Sequence, residues 1–219
     1  MRDDGCMPKI NASTVAEHRE HTYQALLDAV DSLILERGFD AVSMREVAKR
    51  AGVSRTVIYN YASDKMALLT ASVLRTAQSL HSALLDAAAD DGRPAPDRLK
   101  AVIETLLTFA SSTHNLLMVR AAARSGSALE QGHVLMSSYQ DELGEVMRSL
   151  IQQGVEAGDF APAPDLTFTV DLITGVIDVA LDRLKDEPEA ADVITGTVIA
   201  FLLRALGRDK STEQAGAGS

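Results

Sequence analysis

The chain has 219 residues, 46% of them hydrophobic and 24% charged. That composition supplies ample core material and excludes a disordered tail or a disulfide-stapled mini-protein. The net charge is −10, but it is unevenly spread: residues 1–70 carry −1, residues 71–219 carry −9, and residues 41–65 carry +3.

Aromatic residues make up only 4% of the chain and tryptophan is absent, which favours helix–helix packing over an aromatic-rich β-sandwich. The single cysteine, Cys6, has no internal partner for a disulfide, so a reducing, cytoplasmic setting is expected. No apolar run follows Met1 to Gly5, so no secretory signal is expected. The longest strongly apolar uncharged run, Val193 to Leu203, is too short to span a bilayer, and no membrane partner is expected.

In chain order, residues 1–12 read as a flexible tail. The first helix is expected from about Thr14 to Arg37, with Thr14-Val-Ala-Glu17 as a capping box. Tyr23, Leu26, Leu27, Val30, Leu33 and Ile34 form one apolar face, and Gly38 supplies the stop. Ser43-Met-Arg-Glu46 reads as a second capping box, opening a short helix that Gly52 ends. Ser54 caps a third helix through about Asn60, and Ser63 caps a long fourth one. Asp90 to Pro96 is the clearest loop. Helices near 97–111, 115–124, 128–156, 165–185 and 189–207 follow, and residues 208–219 read as a second flexible tail. No segment alternates with a period of two for long enough to make a strand. The expected fold is all-α, with a domain over 13–62 and a larger helical domain over 63–207.

Residues 44–61 fit a helix-turn-helix. Val47 and Ala48 face inward, and the turn at Gly52 needs a left-handed residue. Val53 plugs the turn, while Ile58 and Tyr61 return to the core. Ser54 accepts from the free amides of the second helix. That leaves Arg55, Thr56, Tyr59 and Asn60 outward, side-chain types suited to phosphates and base edges.

Around this motif the sequence resembles the TetR family of bacterial transcriptional regulators. The resemblance is carried by Ile34-Leu-Glu-Arg-Gly-Phe39, Ser43-Met-Arg-Glu-Val-Ala48, Ala51-Gly-Val-Ser54, Ile58-Tyr59, and Lys65 followed by Ala67-Leu-Leu69. It implies an N-terminal DNA-binding domain of three helices and a divergent second domain. It also implies roles for single residues: Ser43 at a phosphate, Arg55 and Thr56 in the groove, Tyr59 on a phosphate, and Lys65 holding the DNA backbone at the start of the fourth helix. The sequence departs from the family at Ala62, where an aromatic is usual, and either Tyr61 or Met66 is left to fill the space.

Other residues are open to two readings. His18 and His21 are spaced as a metal pair, but nothing completes a site, so exposed polar residues are expected and no metal or other cofactor is called. Asp171, Asp178 and Asp182 share one side of their helix, as a solvated face or as an anionic strip. The helices near 165–185 and 189–207 are apolar on more than one face, which calls for burial on two sides. Gly175 and Gly196 would permit close approach there. In the resembled family these two helices form the four-helix bundle of a homodimer.

The resemblance also implies a small-molecule effector in the second domain. Its candidate lining is Leu80, Leu84, Leu106, Phe109 and Leu117, together with Met136, Tyr139, Phe168 and Leu172. His81, His114, His133, Arg120, Arg124 and Tyr139 are the polar groups on those helices. This set suits an apolar, flexible or alicyclic compound, with His114, Arg120 and Tyr139 orienting it. The alternative is a solid packed core. No nucleophile elbow, Walker loop or dinucleotide fingerprint is present, so no enzymatic activity is expected. The expectation is a dimeric, ligand-responsive regulator, probing double-stranded operator DNA and acting as a repressor. The alternative is a ligand-independent helical DNA-binding or interaction protein.

Overall fold

A computed structural model describes residues 12–90, 92–112 and 126–207, and every regular element among them is helical. Helix α1 spans Ala12–Arg37, and a 3-10 turn at Phe39–Ala41 leads to α2, Met44–Arg50, and α3, Arg55–Ile58. The long α4 covers Lys65–Ala89, followed by α5, Ala95–Ser111, and α6, Gly126–Ala157. Helix α7, Leu166–Asp186, is joined by a second 3-10 turn, Pro188–Ala190, to α8, Ala191–Leu206. The helix expected over 115–124 lies outside the described residues, as do both expected tails apart from Ala12.

Local chemistry sets most of these ends. The α2 capping box forms as expected: the Glu46 amide donates to the Ser43 hydroxyl at 3.4 Å, and the Ser43 amide donates to the Glu46 carboxylate at 3.2 Å. Three starts or stops differ from the expectation. Helix α1 already runs at Ala12, so Thr14 lies inside it and is not its N-cap. Asp64, not Ser63, caps α4 by accepting from the Ala67 amide at 2.9 Å. Ser63 instead donates its hydroxyl to the Asp64 carboxylate at 3.1 Å, and a carboxylate is the stronger acceptor for a helix amide. Helix α3 ends at Ile58, where the Tyr61 and Ala62 amides both turn back onto the Ile58 carbonyl.

Two cores form. The first gathers Leu26, Leu27, Val30 and Ile34 of α1, Val47 and Ala48 of α2, Ile58 of α3, and Leu68 and Leu69 of α4. The second gathers Leu84 of α4, Leu99, Ile103 and Leu107 of α5, Leu150 and Ile151 of α6, Leu184 of α7 and Leu202 of α8. Each fully buried leucine or isoleucine contributes about 1.5–3 kcal/mol relative to exposure. The boundary expected at 62/63 thus falls at the start of a helix whose first turns still belong to the first core.

Ala62 is buried in that core, and both Tyr61 and Met66 pack against the same core. Tyr61 stacks on Tyr23 with ring centroids 6.1 Å apart, and Met66 is half-buried against the same cluster. Both side chains thus pack against the core that holds Ala62.

Gly154 of α6 lies in close contact with Phe160 and with Ala95 of α5. A Cβ there would lie 2.9 Å from the Ala95 Cβ and closer still to the ring of Phe160. Phe160 is buried, so its ring has little room to retreat. Alanine normally gains about 1 kcal/mol over glycine inside a helix. Here the overlap should outweigh that gain, because overpacking costs about 1–3 kcal/mol. Gly154→Ala should accordingly lower the urea midpoint of unfolding; a midpoint raised above the parent protein's would show that Phe160 moves aside freely.

Candidate nucleic-acid interface

Helices α2 and α3 are built around the turn at Gly52, whose φ is 72°. Only glycine adopts that value without steric cost. The Val53 amide donates to the Ala48 carbonyl at 3.0 Å and the Gly52 amide to the Lys49 carbonyl at 3.3 Å. This is a Schellman closure, and it sends the chain straight from α2 into α3. Ser54 then caps α3 by accepting from the Val57 amide at 3.2 Å.

Helix α3 buries Ile58 and half-buries Val57, and its other side is open. Ser54, Arg55, Thr56, Tyr59 and Asn60 are all exposed, and Tyr59 is 48% accessible despite its ring. All five expected residues are thus exposed: Ser54 as the cap, Arg55 and Thr56 on α3, and Tyr59 and Asn60 just past its end. Ser43 is exposed too, but its hydroxyl is already a partner of Glu46, donating to the carboxylate at 2.7 Å.

Lys65 is placed differently from the other candidates. Its ammonium donates to the backbone carbonyls of Phe39 at 3.1 Å and Asp40 at 3.3 Å, and lies 4.5 Å above the Phe39 ring. Two of its three N–H donors are therefore spent on the 3-10 turn before α2. The side chain ties the start of α4 to the entry of the helix-turn-helix.

The remaining charges near α2 fall into two groups. Arg50 makes a two-pronged ion pair with Glu36 of α1, both contacts at 2.8 Å, and Arg37 of α1 pairs with Glu46 at 3.0 Å. Arg45, Lys49 and Arg55 are exposed, and the charge of Arg45 acts on the Glu46 carboxylate. The expected contact set omitted Arg45 and Lys49, although both count in the +3 stretch of residues 41–65. The available signal was their i, i+4 spacing, which puts them on one flank of a helix.

The pairings hold three carboxyls below their ordinary range. For Glu36 the main cause is the Arg50 hydrogen bond. For Glu46 it is the Ser43 hydroxyl, with the Ser43 amide and the charges of Arg37 and Arg45 assisting. For Asp64 it is the Ala67 amide.

The structure treats the expected effector residues unequally. Leu84 is buried in the second core, Leu80 and Leu106 are half-buried against it, and Phe109 is half-buried. Tyr139 is half-buried and stacks on His81 at 4.2 Å, while His81 shares a hydrogen bond with Glu142 at 2.8 Å. His114, Leu117, Arg120 and Arg124 lie outside the described residues, and so do the side chains of His133 and Met136. Phe168 and Leu172 do not face inward: they are 58% and 56% exposed. Helix α7 buries Val170, Ile173, Ala180 and Leu184, and positions 168 and 172 lie on the opposite side.

On that outer side Phe168, Leu172, Gly175 and Val179 follow one another at helical spacing, and Val179 is 71% exposed. Val193 and Phe201 of α8 are exposed as well. Neither Gly175 nor Gly196 has any atom within 4 Å of where a Cβ would stand. Asp171, Asp178 and Asp182 are exposed, and Asp182 pairs with Lys185 at 2.8 Å. His18 and His21 are exposed, and no group of three metal-ligating side chains forms among the described residues. Nor is any described helix long and apolar enough to cross a membrane.

An all-helical chain with an exposed, cationic helix-turn-helix defines a DNA-binding protein of the helix-turn-helix class. Residues 26–71 match the family model for bacterial regulatory proteins of the tetR family. The chain is 30% identical over 175 residues to the HTH-type transcriptional regulator YdeS of Bacillus subtilis, covering 77% of this chain and 82% of that one. It is 23% identical over 183 residues to the fatty acid metabolism regulator protein of the same organism, covering 83% and 93%. A solved TetR-family regulator from Mesorhizobium loti shares the fold, with a TM-score of 0.68 at 16% identity over 86% of this chain and 98% of that one. The chain belongs to the TetR family, and it is a DNA-binding transcriptional regulator rather than an enzyme.

The lowered carboxyls fix a direction for pH dependence. A group whose folded pKa is depressed binds fewer protons in the folded than in the unfolded state, so its contribution is present above the ordinary value and lost below it. The ordinary values are 4.5 for Glu36 and Glu46 and 3.8 for Asp64. Stability of the first core should therefore fall as the pH drops from about 5 toward 3. Glu46→Gln should flatten that decline in urea titrations followed by Tyr23 and Tyr61 fluorescence, and an unchanged decline would exclude Glu46 from it.

Proposed function

We propose that the protein is a homodimeric repressor that occupies a two-fold operator and releases it on binding an apolar effector. The observation that carries the DNA half is the joint exposure of Arg55 and Thr56 on capped α3 and of Tyr59 and Asn60 in the turn that follows it. Those side chains suit a major groove, with Tyr59 and Ser43 toward phosphates and Thr56 and Asn60 toward base edges. Lys65 acts chiefly by holding the 3-10 turn, with its one remaining N–H for the DNA backbone.

The dimer half rests on the outer face of α7 and α8. A stripe of Phe168, Leu172 and Val179 beside an open glycine needs a cover, and a second copy of the same stripe supplies one with two-fold symmetry. The acidic second domain would be repelled by DNA, which confines binding to the cationic front. A two-fold protein selects two-fold DNA. Selection from random duplexes should return paired, inverted half-sites; asymmetric single sites would defeat the dimer reading. Val179→Asp, altered where the protomer itself is exposed, should stay folded by circular dichroism, elute as a monomer and recover only half-sites.

The effector half rests on the half-buried aliphatic residues Leu80 and Leu106, with the His81–Tyr139–Glu142 group as a polar end. One relative is a fatty acid metabolism regulator, and a mostly aliphatic lining accords with a fatty acyl compound. An effector shifts DNA affinity only by its differential affinity for the two conformers. Fatty acyl compounds and a mixed apolar library should include members that raise the melting temperature and also release DNA. If no compound does both, the effector half falls and the DNA half stands.

A further inference from the structure

We infer that Arg75 is a positioning residue for operator binding: by gripping α1 at three points it fixes the separation of the two α3 helices in a dimer, and so selects one spacing between half-sites. The inference rests on the homodimer reading above and deepens it.

The grip lies where α4 passes from one core to the other, between Leu69 of the first and Leu84 of the second. The Arg75 Nη1 donates to the Gln24 side-chain oxygen and to the Asp28 carboxylate, both at 2.8 Å. Its Nη2 donates to the Asp31 carboxylate at 2.9 Å. Ser72, on the preceding turn of α4, donates its hydroxyl to the other Asp31 oxygen. Positions 24, 28 and 31 stand on successive turns of α1, so one guanidinium spans two turns of that helix.

Apolar packing does not supply this constraint. The leucines between α1 and α4 resist separation, but hydrophobic burial has no direction and penalises a small roll of one helix on the other only weakly. A guanidinium fork on carboxylates is directional. Asp31 and Ser72 are both buried, so a roll of α1 would pull a buried carboxylate away from its donors.

The grip acts on α3 by leverage. Helix α1 holds α2 through Arg37–Glu46 and Arg50–Glu36, and α2 turns at Gly52 directly into α3. Helix α4 runs unbroken from Lys65 to Ala89, into the second core. The angle between α1 and α4 therefore sets where α3 stands relative to the second domain, and in a dimer it sets the distance between the two α3 helices. DNA reads that distance closely, because one added base pair moves a half-site by about 3.4 Å and rotates it by about 35°.

Spacer length tests this. The half-site recovered by selection is built into inverted repeats whose spacer grows one base pair at a time. Full-length protein is titrated onto each repeat and onto a duplex with a single half-site. The parent protein should prefer one spacer about tenfold over its neighbours, since a misplaced half-site loses at least one base contact. Arg75→Lys keeps the charge and loses the fork, whereas Gln24→Ala/Asp28→Ala keeps the fork and removes two of its acceptors. Each should erase most of the spacer preference and leave affinity for the single half-site unchanged.

Variants that bind the single half-site as the parent does and keep its spacer preference overturn the inference. Loss of single half-site binding in both variants overturns it as well, because the grip would then hold the DNA-binding domain together without aiming it. Gln24→Ala/Asp28→Ala spares the buried Asp31–Ser72 pair and keeps the result readable should Arg75→Lys fail to fold by circular dichroism. A parent protein that binds inverted repeats no better than single half-sites would instead defeat the homodimer reading.

Discussion

The arrangement depends on one helix belonging to two cores. Leu68 and Leu69 anchor the start of α4 in the first core, and Leu84 and Ala88 anchor its end in the second. Between these anchors α4 is fixed to α1 by a polar latch. Buried Ser72 donates to buried Asp31, and Arg75 pairs with Asp31 at 2.9 Å and Asp28 at 2.8 Å. A buried carboxylate is tolerated only when paired and hydrogen-bonded, and losing one partner leaves an uncompensated charge. The latch thus fixes α1 on α4 more specifically than leucine packing alone. Because α1 in turn holds α2 through Glu36 and Arg37, the orientation of the DNA-facing helices is referred back to α4.

What was legible in the sequence was what is local. The Ser43–Glu46 capping box, the Gly52 turn and the Ser54 cap each depend on residues within a few positions, and all three form. The errors have a physical pattern. Ser63 and Asp64 are adjacent capping residues, and the choice between them depends on which side chain faces the Ala67 amide. Phe168 and Leu172 belong to a helix that is apolar on two sides, and periodicity does not say which side the protomer itself covers. Lys65 was visible as a cation, but its carbonyl partners lie 25 and 26 positions earlier. Glu36 likewise meets Arg50 across 14 positions. Contacts closed by folding leave no trace in spacing.

The electrostatics follow the same division. Charges near α2 that are paired hold the helices in place, and those that are not face outward. Surface ion pairs are individually weak, about 0–1 kcal/mol, so Arg50–Glu36 and Arg37–Glu46 matter less for stability than for position. They set the angle at which α2, and with it α3, is presented. Replacing either glutamate would therefore free an additional cation while loosening the helix that carries the others. More positive charge at this surface is not equivalent to better DNA binding, because phosphate contacts also fix the register and orientation of the protein on the duplex.

Under the proposed effector reading, coupling to the DNA would run through α4, whose residues enter both cores. On one side of it stand Ser72 and Arg75, bound to α1; about two turns further along stands His81, bound to Glu142 and stacked on Tyr139 of α6. A ligand that altered the α4–α6 contact would act on a helix whose end is anchored in the second core by buried Leu84. Packed cores switch between discrete arrangements and resist continuous deformation. The energy available to reorient α1 is then bounded by the ligand's preference for one α4–α6 arrangement over the other, whatever its total affinity. Under that same reading the half-buried aliphatic side chains would supply affinity in both arrangements, and the polar group around His81, which joins α4 to α6, would distinguish them.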